Sequence, residues 1–439
     1  MQATRRPELL ATPPAARPAL SVTWVTALFV VALAGRITPD RAGLPDLGVG
    51  DLRKTAFAVL AFMAVLWQVE LWHRVAARPW PRLLIPFTAL IAAQLASALW
   101  APWAARVEQV TWDLLLLWLL VICTAAFTAA DPPRAARILL ALTLAAGIIY
   151  ALAGLQAGPQ AQGRMSAFGG GPNVFVRVMC LAVIAAITLA VASRRWWLLA
   201  PVPVLAVAAV LSGSRGGLIA AVAAATVFFV FFLRRRRTAV LAATLLLGSA
   251  AGWAVWEVMG AAVEALAATR YNTTALDANG YSERPELLTA AWDLFRQHPI
   301  AGAGMDAFNA ATGMNYPHNY LAGLAAETGI VGVGLLMWAV VRWCRDGHPW
   351  KTATPEQIGC AVAAVYVLAA SMFSGGYYDT RFFWIFAVVA VGRHHPRPHT
   401  IPQPKGIPWR GSGGYSSSTT TPNRHRAPEV PATSSYSAG

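Results

Sequence analysis

The chain has 439 residues, 57% of them hydrophobic and 13% charged, with a mean hydropathy of +0.50. Water-soluble domains carry about 25% charged residues, so this composition excludes an ordinary cytosolic enzyme. Thirty-five Lys and Arg against 20 Asp and Glu give a formal charge of +15. In a membrane protein such an excess reports the positive-inside rule, and no nucleic-acid partner is expected.

The chain opens with a basic, Pro-rich segment at residues 1–18. An apolar run begins near Ser21, and no small-residue cleavage site precedes the polar stretch Arg36–Asp51, so it reads as an uncleaved first span. A hydrocarbon core about 30 Å thick needs roughly 20 helical residues. On that measure twelve spans are expected, near residues 19–36, 54–72, 83–100, 108–128, 138–156, 174–193, 196–212, 216–233, 238–256, 319–341, 358–375 and 381–393. With the N-terminus inside, the inner segments hold 23 of the 35 basic residues, including the anchoring run Arg234–Arg237. Both termini are then cytoplasmic, and the 62-residue loop 257–318 lies outside. The expected fold is an all-α polytopic bundle over residues 19–393. Residues 394–439, rich in Pro, Ser, Thr and Gly, are expected to form a disordered cytoplasmic tail. Cys123, Cys180, Cys344 and Cys360 form no CxxC pair and no Cys–His spacing, so neither a disulfide framework nor a metal site is expected. No internal repeat is visible, which weighs against a transporter built from inverted repeats.

Polar groups kept near the outer face of such a chain call for a role, because unpaired polar side chains are costly in lipid. Residues 169–173, Gly-Gly-Gly-Pro-Asn, lead into the sixth span and Arg177 and look like a flexible substrate-side loop. Residues 212–217, Ser-Gly-Ser-Arg-Gly-Gly, form an outer hairpin. Its glycines permit close backbone approach, and Arg215 with the following amides suits an anion, although a snorkelling arginine on a tight turn has the same sequence. From Ser282 to Pro299, Leu287, Leu288, Ala291, Trp292 and Phe295 recur with helical spacing, as in an amphipathic helix lying on the outer surface, either covering a lipid-borne substrate or packing on the bundle. Next, Pro317-His318-Asn319 opens the tenth span, and an imidazole there can serve as a general base near neutral pH. Glu327, nine residues on, is half a turn out of phase with His318 and is expected to pair with another helix. Glu70 and Asp113 lie inside spans.

The outer S-R-G-G-L turn, the loop segment around His298–Phe308 and the segment His318–Gly329 (H-N-x-x-L-x-x-x-x-E-x-G) occur in order. Together they resemble the bacterial O-antigen ligase and O-antigen polymerase family, membrane glycosyltransferases of the GT-C type. The resemblance covers residues 160–345, and His318–Gly329 is its most specific part. It implies transfer of a glycan from a polyprenyl-diphosphate lipid to an acceptor hydroxyl on the outer face of the cytoplasmic membrane, without metal or cofactor. By the same resemblance Arg215 and Arg284 bind the diphosphate and His318 activates the acceptor, with Asn319, Glu327, Arg296 and Asn173 in support. The family arginine is closely followed by Trp, whereas Arg284 precedes Pro285 and Trp292 is eight residues on, which makes Arg296 its competitor. A polyisoprenoid-glycan flippase or other polysaccharide transporter is the alternative, motivated by the span count and the intramembrane acids. Ligase and polymerase share donor chemistry and are not separable by residue pattern.

Overall fold

In the computed structural model, residues 18–34, 52–75, 81–129, 131–159, 163–233, 284–346 and 353–392 are described. They fall within one unit, residues 1–394, and carry helices and turns with no strand among them. The expected segment 1–17, the ninth span, loop residues 257–283 and the tail lie outside the described residues, as does the Arg284 side chain.

Thirteen α-helices occur among the described residues: α1 (Pro18–Ala34), α2 (Leu52–Val75), α3 (Leu84–Ala96), α4 (Val107–Thr128), α5 (Pro132–Ala157), α6 (Gly171–Ser193), α7 (Val202–Leu211), α8 (Arg215–Leu233), α9 (Arg284–Gln297), α10 (Ala307–Thr312), α11 (Tyr320–Asp346), α12 (Pro355–Ser371) and α13 (Arg381–Val391). Of these, α4, α5, α6 and α11 are long and apolar enough to cross a membrane, and seven further apolar helical stretches are shorter. The expected span 196–212 is divided. A 3-10 turn, Trp196–Leu199, and Pro201 precede α7, because proline fits the first turn of a helix and not its interior.

Local signals set the ends. Asp131 accepts the Arg134 amide at 3.2 Å just before Pro132 and Pro133 open α5. Thr354 and Gln357 form a reciprocal capping box at α12. Between α5 and α6, Gly147 meets Ala182 and Gly154 meets Phe175 so closely that a Cβ at either glycine would collide. Small residues thus let these helices approach through van der Waals contact, the main source of helix adhesion in lipid. Phe87, Tyr366, Phe383, Trp384 and Phe386 are fully buried, and the Phe87 and Trp384 rings lie 4.6 Å apart.

Polar contacts sort to the two ends of the bundle. At one end Arg137 donates twice to Glu356 Oε1 (2.9 and 2.7 Å), Gln357 donates to the Gly392 carbonyl and the Leu83 amide to Asp346. Arg137 is thus one half of an ion pair between α5 and α12. The other end gathers the turns that follow α3, α5, α7, α10 and α12.

Candidate functional site

The chain around residues 298–304 is bonded into a break in α11. Gly329 has φ +63° and ψ −157°, which interrupts the helix and strips partners from neighbouring backbone groups. The Ala326 and Glu327 carbonyls accept the amides of Ala303 (2.8 Å) and Gly304 (3.1 Å). The Ile330 and Val331 amides donate to the Pro299 and Ile300 carbonyls. Contact is backbone against backbone. A Cβ at Gly302 would strike the Glu327 carbonyl, and one at Gly329 would strike Ile300, so both positions need glycine for space as well as for φ. Gly304 lies likewise against Trp100 and Ala101, and Trp100 Nε1 donates to the Gly302 carbonyl.

From this joint a polar chain runs to the histidine segment. Asp306, 3% exposed and with φ +56°, accepts Arg106 Nε and Nη2 at 3.0 Å each and the Arg106 amide at 2.9 Å. This carboxylate holds the Arg106 guanidinium above its ordinary pKa. Arg106 Nη1 then donates to Asn315 Oδ1 at 2.7 Å. The Tyr316 ring stands edge-on to the His318 imidazole, centroids 5.0 Å apart, and lies against Gly376.

His318 is half-buried with φ +59°, so it precedes the helix rather than starting it. Asn319 begins α11 instead, its Oδ1 accepting the Ala322 amide at 3.0 Å as an N-cap. The expected half-turn offset between His318 and Glu327 does not apply, because His318 is not helical. Glu327 does meet another helix, the short α10: its carboxylate faces the backbone amides of Asp306 and Phe308 at that helix's start. Glu327 lines a cavity with Asn315, Tyr316, Asn319, Tyr320, Gly375, Gly376 and Tyr377. Burial raises the Tyr377 phenol well above its ordinary pKa.

A second, smaller cavity lies where three turns meet. Ser214 Oγ donates to Asn173 Oδ1 at 2.8 Å, and Asn173 Nδ2 donates to Ser374 Oγ at 3.1 Å. Asn173 thus ties the Gly-rich loop, the Ser-Arg turn and the α12–α13 turn into one surface. Arg177, Gly216 and Gly217 complete the lining. Gly216 is pressed on Phe373 and Gly217 on Val176, which explains the glycine pair that follows Arg215. Arg215 itself is half-buried at the first turn of α8 and lines neither cavity. Gly375 joins the two cavities, since it lines the first and a Cβ placed on it would be 3.1 Å from Arg177 Nη2.

Helix α9 both packs and presents. Leu287 and Ala291 are buried with Phe308 and Ala326, whereas Leu288 and Trp292 remain exposed. Arg296 is exposed in its last turn, where a cation complements the helix dipole. Sequence reasoning missed Arg106, Asp306, Asp379 and Arg381. The glycine pair Gly375-Gly376 ahead of a Tyr-Tyr-Asp stretch was the available signal for the last two.

These features define an all-helical, multi-pass membrane protein with a polar site built from turns at one end of its bundle. Residues 200–339, about a third of the chain, match the sequence model of the O-antigen ligase family. No curated protein matches the chain.

Proposed function

We propose that this protein transfers a glycan from a polyprenyl-diphosphate lipid to an acceptor hydroxyl, on the outer face of the cytoplasmic membrane. The observation that carries the reading is the convergence of the Gly-rich loop, the Ser-Arg turn, the α12–α13 turn and the histidine segment at one end of the bundle. The family match over residues 200–339 supports it independently. In this scheme Arg215 and Arg284 neutralise the diphosphate as the glycosidic bond breaks, guanidiniums being suited to bidentate phosphate contact. His318, as a neutral imidazole, takes the proton of the acceptor hydroxyl. Asn319 and Asn173 hold the two turns in place, and Glu327 fixes the turn at Asp306. Arg296 contributes at the membrane surface.

The test uses the purified full chain in detergent with lipid-linked glycan and acceptor. Release of polyprenyl diphosphate with elongation of the acceptor supports the enzyme. A flippase needs a sealed membrane to show activity, so absence of release in detergent, with glycan translocation in proteoliposomes, would replace this reading with the transporter.

A further inference from the structure

An uncharged apolar rim borders the polar site. After α3 a 3-10 turn, Ser97–Trp100, leads into a second turn, Pro102–Ala105, closed by the Ala105 amide on the Pro102 carbonyl at 2.9 Å. Leu99 is 88% exposed, and Trp103 within the second turn is 98% exposed. Alongside runs the segment 299–304, where Ile300 is 70% exposed. The two stretches touch through the Trp100 indole on the Gly302 carbonyl and through Gly304 against Trp100 and Ala101. Residues 98–105 and 299–304 contain no charged side chain, whereas the exposed residues of α9 include Glu286, Asp293 and Arg296.

Two further observations say what covers this rim. The first is its backbone. The amides of Gly302, Ala303, Gly304 and Met305 donate to the carbonyls of His298, Ala326, Glu327 and Ser97. The carbonyls of Pro299, Ile300 and Gly302 accept from the Ile330 amide, the Val331 amide and the Trp100 indole. Non-helical chain at membrane depth is tolerated only where protein partners satisfy its polar groups in this way; a loop in water has no such need. The second is continuity. Helix α11 is long and apolar enough to cross a membrane, and its Ile330 and Val331 side chains are exposed, so they face lipid. The Val331 amide is bonded to Ile300 itself, so the rim extends the lipid-facing side of α11. Leu and Ile gain by leaving water, and Trp favours the boundary between headgroups and acyl chains. We propose that Leu99, Trp103 and Ile300 insert into the leaflet on the site's side, with acyl chains and headgroups of bilayer lipid as their partner. Arg106 follows Trp103 by three residues and holds Asn315, three residues before His318. Insertion of the rim therefore sets the height of the histidine turn relative to the lipid surface. The inference does not draw on the glycan-transfer reading.

The test reads depth and needs no turnover. Cys344 is exposed and the other three cysteines are buried, so Cys344→Ser gives a background without an accessible thiol. In it, Leu99→Cys and Ile300→Cys each carry an NBD fluorophore, with Trp103 left in place, and the full chain is placed in phosphatidylcholine nanodiscs. Glu286→Cys, on the charged face of α9, serves as the water-facing control. Phosphatidylcholine with a nitroxide near the top of its acyl chain should quench both rim labels at least twofold more than the control. Aqueous iodide should quench them in the reverse order. Either rim position suffices if the other variant folds poorly. Trp103→Asp should at least halve the nitroxide quenching at Leu99, and Trp103→Phe should preserve it. Iodide quenching at Leu99 and Ile300 equal to that at Glu286 would put the rim in water and overturn the proposal. Shielding from both quenchers would also overturn it, because a second copy or another protein would then cover the rim. Unchanged quenching in Trp103→Asp would remove Trp103 from the inserted surface.

Discussion

Replacing Asp306 by Asn removes a charge while leaving the backbone undisturbed. Asn occupies the left-handed region about as readily as Asp, so φ +56° adds no strain to the variant. One carboxylate oxygen becomes an amino group that faces the Arg106 donors at 3.0 Å, a donor against a donor. Hydrogen bonds to charged groups contribute about 1.5–3 kcal/mol each, and breaking a buried pair reaches about 3–5 kcal/mol. Arg106 is 36% exposed against 3% for Asp306, so it can turn partly to water. That places the expected loss near the lower end, about 2–3 kcal/mol. Arg106→Lys keeps the charge but loses the fork and the Asn315 bond, and should cost a similar amount. Because both variants delete one interaction, the double variant should cost little more than either single, a coupling of about 2 kcal/mol. Denaturant unfolding of the purified protein in detergent measures all three. Additive losses, or an Asp306→Asn change within about 0.5 kcal/mol, would refute the claim that this pair anchors the turn.

The remaining expectations concern the joint, the proposed anion and base groups, and the orientation. Gly302→Ala should cost more than about 3 kcal/mol, from left-handed strain of about 1–2 kcal/mol plus loss of the two amide bonds beside it, about 1 kcal/mol each. Gly313→Ala, at φ +70° with open space around it, should cost only the strain; equal unfolding shifts for the two would deny the close contact. Arg215→Lys should lower donor use at unchanged protein level, and wild-type turnover would return Arg215 to a snorkelling role. His318→Asn tolerates φ +59° better than Ala and should cut turnover per molecule roughly 10²–10⁴-fold with donor binding kept. Wild-type turnover should be greater at alkaline than at acid pH, since only the neutral imidazole accepts a proton; a flat profile from pH 5 to 8 would argue against the base. A cysteine at Gly280 should react with an impermeant thiol reagent from the outer side, and labelling only after lysis would reverse the orientation.

Local physics was legible in the sequence and distant pairing was not. The apolar runs expected at 108–128, 138–156 and 174–193 coincide closely with α4, α5 and α6, because hydrophobicity and capping residues act within one segment. The same is true of the amphipathic helix expected over 282–299, found at Arg284–Gln297. The ion pairs Arg106–Asp306 and Arg137–Glu356 join residues 200 and 219 positions apart, and nothing in either local pattern names its partner. His318 and Glu327 show a different failure. Their phase was counted as if the helix began at the histidine, whereas Asn319 caps it one residue later, and the break at Gly329 adds a second departure from ideal geometry. Gly302, Gly304 and Gly329 were visible as glycines, but only the fold reveals that each is needed for backbone contact.

The break at Gly329 also bears on the choice between enzyme and transporter. Discontinuous helices in transporters leave free carbonyls or amides to hold a substrate or ion near the middle of the bilayer. Here the Ala326 and Glu327 carbonyls and the Ile330 and Val331 amides are each bonded to residues 299–304. Each of these groups already has a protein partner, and four backbone bonds across the break oppose hinge motion. What it does supply is position. Through Gly304, Asp306, Arg106 and Asn315 the geometry of one helix interruption reaches the turn that carries Tyr316 and His318. A site placed by backbone bonds and glycine contacts keeps its geometry when exposed side chains on α9 change, and loses it when a single glycine gains a methyl group. That rigidity is what a catalytic group requires, since misplacement by about 1 Å can cost 10²-fold in rate. An alternating-access protein would need the same region to move. The bonding pattern around Gly329 therefore favours transfer chemistry at a fixed site over carriage of the glycan through the bundle.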